Sequence, residues 1–251
     1  MQFLFLIGTE GSGHHMFHAI LEHHEKLKNF VSRGMWRQPL VQQWNTAPKK
    51  GIKDKLSDLV KPKIPEKTSL LKEALTRIFQ QYERVGVTQF FESVSFPFEN
   101  PRNTLRRPDI IELTETIKDI LEYKLLVLYR NPISATYSGI RRGFTDSVRL
   151  QAKIVEDNLI YIASQMSTID TNLYKVIDFD EFLANPNSYV KPLSAWWNLE
   201  EELLAKGLQN IHRPTQIEEI PADTKKMLDT FFTESRISQW KRFYASNKLK
   251  I

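Results

Sequence analysis

Residues 3–15 read Phe3-Leu4-Phe5-Leu6-Ile7-Gly8-Thr9-Glu10-Gly11-Ser12-Gly13-His14-His15, and this stretch decides the fold. Five consecutive apolar residues stop at a glycine-rich turn, and an amphipathic segment containing Phe17, Ile20 and Leu21 follows. A short, continuous apolar run bounded by turn residues is the pattern of a strand buried on both faces. Strand, glycine turn and helix start, in that order, aim successive backbone N–H groups and a helix N-terminus at an anion. A tight strand-to-helix turn with no ligand is the plainer reading of the same residues.

The spacing Gly8-x4-Gly13 equals that of a P-loop, but His14 and His15 occupy the positions where Lys and Ser or Thr would stand. Five of the six histidines (His14, His15, His18, His23 and His24) fall in this turn and the segment after it. His14 and His18 are one helical turn apart and could form a metal pair. No third ligand at helical spacing stands beyond Glu22, so the expectation is no metal.

Outward from the turn, short apolar runs at 87–91, 125–129 and 173–177 read as further buried strands. The segments 67–84, 109–122 and 148–165 carry apolar residues at three- and four-residue steps, the period of a helix with one buried face. Strands alternating with helices predict an α/β fold of three layers, with a central, mostly parallel sheet and the P-loop-like strand, turn and helix at its N-terminus. Residues 1–251 are expected to form a single domain.

Within it, 33–67 is an insertion containing Pro39, Pro48, Pro62 and Pro65, with nine basic residues against three acidic ones. It reads either as a substrate-binding loop or as a solvated surface segment. With 41% hydrophobic residues the chain is not disordered, and the absence of cysteine excludes disulfides and thiolate chemistry. The net charge of +5 suits an anionic ligand. Nucleic acid is not the expected partner, because the basic residues concentrate in one Pro-rich loop without regularly interleaved aromatics. No stretch approaches the ~20 apolar residues that span a bilayer, so the expectation is a cytoplasmic protein with no membrane partner.

A second anchor comes from the strand at 125–129, which runs into Arg130-Asn131-Pro132-Ile133-Ser134-Ala135-Thr136-Tyr137-Ser138. Pro132 sets a turn and starts a helix. Arg130 falls at the C-terminal edge of the strand, where open α/β sheets bind ligands. Ser138, eight residues on, can face the same point, and a guanidinium and a hydroxyl converging there suit a phosphate monoester.

With these two anchors the chain resembles the sulfotransferases that use 3′-phosphoadenosine 5′-phosphosulfate (PAPS). The segment 174–186, Tyr174-Lys175-Val176-Ile177-Asp178-Phe179-Asp180-Glu181-Phe182 and on to Asn185-Pro186, resembles a further family element. So does the C-terminal Arg236-Ile237-Ser238-Gln239-Trp240-Lys241.

The resemblance implies that Gly11, Ser12, Gly13, His14, His15 and Met16 hold the 5′-phosphosulfate and that Arg130 and Ser138 hold the 3′-phosphate. It implies that Arg236, Trp240 and Lys241 close over the nucleotide. PAPS would be the co-substrate, its product 3′-phosphoadenosine 5′-phosphate (PAP), and no metal would be needed. The acceptor would be a hydroxyl or amine on a small molecule or glycan; the oligomeric state is not legible.

The family's Lys or Arg in the first motif is Gly11 here, and its two Ser or Thr are His14 and His15, so a protonated His14 or His15 is the expected replacement for the missing cation. Glu92, expected at the same sheet edge as Gly11 and Arg130, is the candidate base for the acceptor's proton. Two readings of other classes remain. One is a P-loop kinase using ATP and Mg²⁺, with Asp178 as its metal carboxylate; the other is a non-catalytic anion-binding module.

Overall fold

The computed structural model describes residues 1–9, 11–22, 24–30, 65–96, 110–209 and 220–250. Five strands, β1 (Gln2–Thr9), β2 (Leu27–Asn29), β3 (Gln89–Phe96), β4 (Glu122–Tyr129) and β5 (Tyr174–Asp178), form one sheet in the order β2-β3-β1-β4-β5. Every pairing is parallel. The chain leaves β1 to build one side of the sheet, then crosses β1 to build the other. The direction of winding therefore reverses at β1, and the crevice that such a reversal opens lies outside the C-terminal end of that strand. The Gly8–Gly13 turn is placed there by topology alone.

Side chains alternate along a strand, and the core divides accordingly. Phe3, Phe5 and Ile7 of β1, Phe90, Leu125, Val127 and Val176 face one side. There they meet α2 (Pro65–Glu83), α3 (Ile110–Ile117), α5 (Val148–Met166) and α10 (Glu234–Ser246). Leu4 and Leu6, Phe91, Leu126, Leu128 and Ile177 face the other side, against α1 (His14–Leu21), α6 (Phe179–Ala184), α7 (Val190–Trp197) and α8 (Glu201–Leu208). All eight residues of β1 are buried, which is why its sequence is a continuous apolar run rather than an alternation. The remaining helices are α4 (Pro132–Arg141), directly after β4, and α9 (Ala222–Phe231). Residues 247–249 lie along β5: Val176 donates its N–H to the Asn247 carbonyl (3.0 Å) and accepts from Leu249 N–H (2.8 Å).

The expected α/β class, parallel sheet and helical segments are found. Three details differ. β2 was not foreseen, because a three-residue strand with the sequence Leu-Lys-Asn carries no apolar signal. The helix expected over 109–122 ends at Ile117, since Glu122 already belongs to β4. The strand expected at 87–91 runs on to Phe96, held by its register with β1, in which Ile7 lies opposite Val94 and Gly8 opposite Ser95. The basic insertion lies outside the described residues except at its end, where α2 begins at Pro65. Among the described residues no helix is long and apolar enough to cross a membrane.

Helix α1, which carries the turn, is seated by α8 at a close crossing. A Cβ on Gly207 would stand 2.4 Å from the Ile20 carbonyl oxygen and 2.6 Å from its Cα. Backbone atoms cannot swing aside as a side chain can. Gly207→Ala is therefore expected to lower stability by about 1–3 kcal/mol, measured by urea unfolding.

Candidate functional site

The turn is closed by Ser12, whose hydroxyl (2.6 Å) and backbone N–H (3.2 Å) both donate to the Thr9 carbonyl. Gly11 and Gly13 have φ of +85° and +98°, backbone that only glycine adopts without strain. At Gly13 a side chain would also collide, since a Cβ would lie 2.1 Å from the Phe179 ring; at Gly11 it would make tight contact, 3.2 Å from both Cβ and Oγ of Ser138. The positive φ at position 11 is what favours glycine over the cation that the family resemblance would place there. Gly13 caps α1 without a side-chain bond of its own, and the first-turn N–H groups of a helix are the set that a phosphate would meet. The Met16 N–H is not part of that set, because it donates to the Gly13 carbonyl (3.0 Å), while the Met16 side chain packs against the core beneath.

Arg130 follows β4, and the register that sets Tyr129 opposite Asp178 brings it beside the first turn of α6. Its side chain is 2% exposed. Nη1 donates to the Gly11 carbonyl (2.6 Å), Nε lies 3.9 Å from Asp180 Oδ1, and the guanidinium carbon is 5.5 Å from the centre of the Phe179 ring. Burial pulls its pKa below the ordinary arginine value, with Arg142 acting the same way and Asp180 opposing, yet arginine starts so high that it remains a cation. The α4 N-terminus is fixed by Asn131, whose side chain accepts from Ile133 N–H (2.9 Å) and precedes Pro132 in the first turn. Ser138 is buried on that helix against Gly11. The two anchors read from sequence thus meet: turn, guanidinium and hydroxyl converge at the end of β1. This donor set fits a phosphate.

The histidines divide by position. The His14 ring folds back beneath the turn, with Nε2 3.1 Å from where a Gly8 Cβ would stand; His15 is exposed on the outer side. His18 is buried, shares a 3.0 Å hydrogen bond between Nε2 and Ser93 Oγ, and lies edge-on to Phe91. Burial, then the nearby His14 and His15, lower its pKa from 6.5 to about 3. Among the described residues no group of three His, Asp or Glu side chains is placed to hold a metal ion.

Glu92 is not at the sheet edge. It is the fourth residue of β3, opposite Phe5 and about 10 Å short of the level of Gly8 at the ordinary strand rise. Its side chain lies on the Phe90 face, buried, with Oε1 accepting from Ser93 N–H (3.0 Å). The misplacement came from ending the strand at Phe91, because Glu-Ser-Val-Ser does not look like buried strand.

The C-terminal candidates already have partners of their own in the structure. Arg236 is held bidentate by buried Glu156 (Nε–Oε1 2.8 Å, Nη2–Oε2 2.6 Å) and stacks on Phe231. Trp240 is fully buried in the core, and Lys241 is exposed and paired with Glu234. Asp178, the carboxylate required by the kinase reading, caps α6 by accepting from Asp180 and Glu181 N–H groups, and it stands at the end of edge strand β5. The sequence reading placed Phe179 and Asp180 in a family-like segment just past a strand end but gave neither a role; they touch the turn and Arg130.

The chain matches no family model and no curated protein sequence. Its fold matches solved sulfotransferases over nearly its whole length. It is 14% identical to the sulfotransferase from Alicyclobacillus acidocaldarius, with a TM-score of 0.56 and coverage of 96% of this chain and 95% of that one. Against a Mycobacterium avium sulfotransferase the values are 11%, 0.52, 99% and 77%. Against one from Mycobacterium tuberculosis they are 10%, 0.50, 98% and 76%. The fold is the sulfotransferase fold.

Two stability experiments check these placements. His18 binds its proton at about 3 when folded and at 6.5 when unfolded. Its contribution is therefore complete above 6.5 and is lost as pH falls toward 3, by up to about 1.4 kcal/mol per pH unit. Urea unfolding between pH 4.5 and 7 should show a shallower dependence in His18→Gln than in wild type. Arg236→Ala leaves the buried Glu156 carboxylate with Lys153 at 3.4 Å as its remaining cation. It should cost about 2 kcal/mol by the same measurement.

Proposed function

We propose that this chain is a sulfotransferase that moves a sulfuryl group from PAPS to a hydroxyl or amine acceptor, a small molecule or a glycan. The observation that carries the proposal is the meeting of the Gly11–Gly13 turn, Arg130 and Ser138 at the C-terminal end of β1. The sulfotransferase fold supports it. Arg130 and Ser138 would hold the 3′-phosphate of the nucleotide. The turn and the N-terminus of α1 would hold the 5′-phosphosulfate.

Transfer breaks the bond from sulfur to the phosphate oxygen and forms one from sulfur to the acceptor, so charge grows on the departing phosphate. Preorganised donors aimed at that charge are the largest catalytic contribution such a site makes. Backbone N–H groups of the turn supply part of it. A protonated His14 or His15 would supply the positive charge that a lysine at position 11 would otherwise bring. The acceptor's proton needs a base at the sheet edge; with His14 as the cation, a neutral His15, exposed in the first turn of α1, would be the candidate, whereas Glu92 lies below the edge.

Calorimetric titration tests the proposal. PAP should bind without Mg²⁺ and ATP much more weakly, and Arg130→Ala should reduce PAP affinity by about ten- to a hundredfold through the loss of charge-assisted bonds. Metal-dependent ATP binding stronger than that of PAP, or an Arg130→Ala variant that binds PAP as wild type does, would overturn it.

A further inference from the structure

Arg130 is already facing an anion that belongs to the protein. Asp180 Oδ1 lies 3.9 Å from Nε, and Asp180 Oδ2 accepts from the Asn131 N–H (2.9 Å), so the carboxylate is held in place by the first residue after Arg130. The Asp180 side chain is 39% exposed, whereas that of Arg130 is 2% exposed. Asp180 is thus the solvent-facing partner of the pair. Its opposite end is occupied, since Nη1 donates to the Gly11 carbonyl (2.6 Å), and Phe179 stacks near one of its faces. A phosphate arriving at Arg130 must share the cation with Asp180 or push it aside.

We infer that Asp180 is an affinity-limiting residue, a built-in counter-anion that weakens binding of a phosphate monoester at Arg130. The inference rests on the proposed function, in which that monoester is the 3′-phosphate of the nucleotide. A carboxylate within a few ångströms of a phosphate dianion repels it, and the repulsion is only partly screened where one partner is buried. Arg130 needs a partner when no ligand is bound, because an unpaired buried guanidinium is costly. Asp180 provides that partner and at the same time keeps the site from holding nucleotide too tightly. The released nucleotide product carries the same 3′-phosphate as the donor, so this residue acts on product release as much as on donor binding.

The sign of the effect separates this role from a structural one. Loss of a scaffold residue weakens binding, whereas loss of a competing charge strengthens it. In Asp180→Asn the side-chain oxygen can still accept from Asn131 N–H while the charge is gone. Titration of PAP should show affinity about five- to tenfold higher than wild type. Adenosine 5′-monophosphate, which lacks the 3′-phosphate, should change less than twofold.

Glu181→Gln is the control: it removes an equal charge from the same turn of α6, at a side chain that pairs with Lys248 and not with Arg130. It should leave PAP affinity within twofold, and thermal unfolding should confirm that both variants fold. Unchanged or weaker PAP binding by folded Asp180→Asn overturns the inference. So does an equal gain for both nucleotides, or an equal gain in Glu181→Gln. If wild type and Asp180→Asn both fail to bind PAP, the proposed function itself falls, and the role of Asp180 falls with it.

Discussion

Arg130 carries a full positive charge into a place that water barely reaches, and the chain surrounds it from several directions. The Gly11 carbonyl accepts from one end of the guanidinium, Asp180 stands at the other, and Phe179 lies across it. Each of these partners is fixed in turn. Gly11 belongs to a turn closed by Ser12 on Thr9, Asp180 is tied to the Asn131 backbone, and Phe179 opens a helix capped by Asp178. The charge therefore locks the ends of β1, β4 and β5 to one another. The geometry of the turn depends on the arginine as much as any ligand would.

The sheet makes this convergence possible. Because β1 is central and buried on both faces, the segments that leave its C-terminal end and those of its neighbours emerge side by side above the core. Aromatic packing beneath, with Phe79 and Phe90 ring centres 4.6 Å apart and Phe17 and Phe182 5.2 Å apart, sets the heights of α2, α1 and α6 against the sheet. The site is precise because the layers under it are close-packed.

What the sequence disclosed was whatever is encoded locally. The continuous apolar run 3–7 and the helical periods after it are nearest-neighbour information, and they specify a parallel α/β sheet. The Arg130–Ser138 spacing is local too, being a strand end and the helix that follows. Contacts between distant segments were not legible. Nothing near Gly13 announces that Phe179 will rest on it, and nothing near Arg236 announces that a buried Glu156 will claim it. Glu92 failed for a related reason: a polar stretch was read as the end of a strand, whereas pairing with β1 carries that strand five residues past Phe91, to Phe96. Trp240 and Lys241 were read by resemblance alone, and local sequence did not disclose that the first lies wholly within the core.

The contact of Phe179 with Gly13 has a bearing on how the molecule is assembled. The turn lies near the start of the described chain, while the ring that seats it arrives only with β5 and α6, and the Arg130 tie spans 119 residues. Such long loops must close before their contacts contribute anything. The seating of the turn is thus tied to a distant segment, and a chain that has formed β1, α1 and their neighbours but has not docked α6 lacks the ring that seats it. A nucleotide that binds only the finished turn draws the population away from such incomplete forms in proportion to its concentration. On the proposed function, the supply of nucleotide would then bear on what fraction of the chain is wholly folded, apart from any reaction it undergoes.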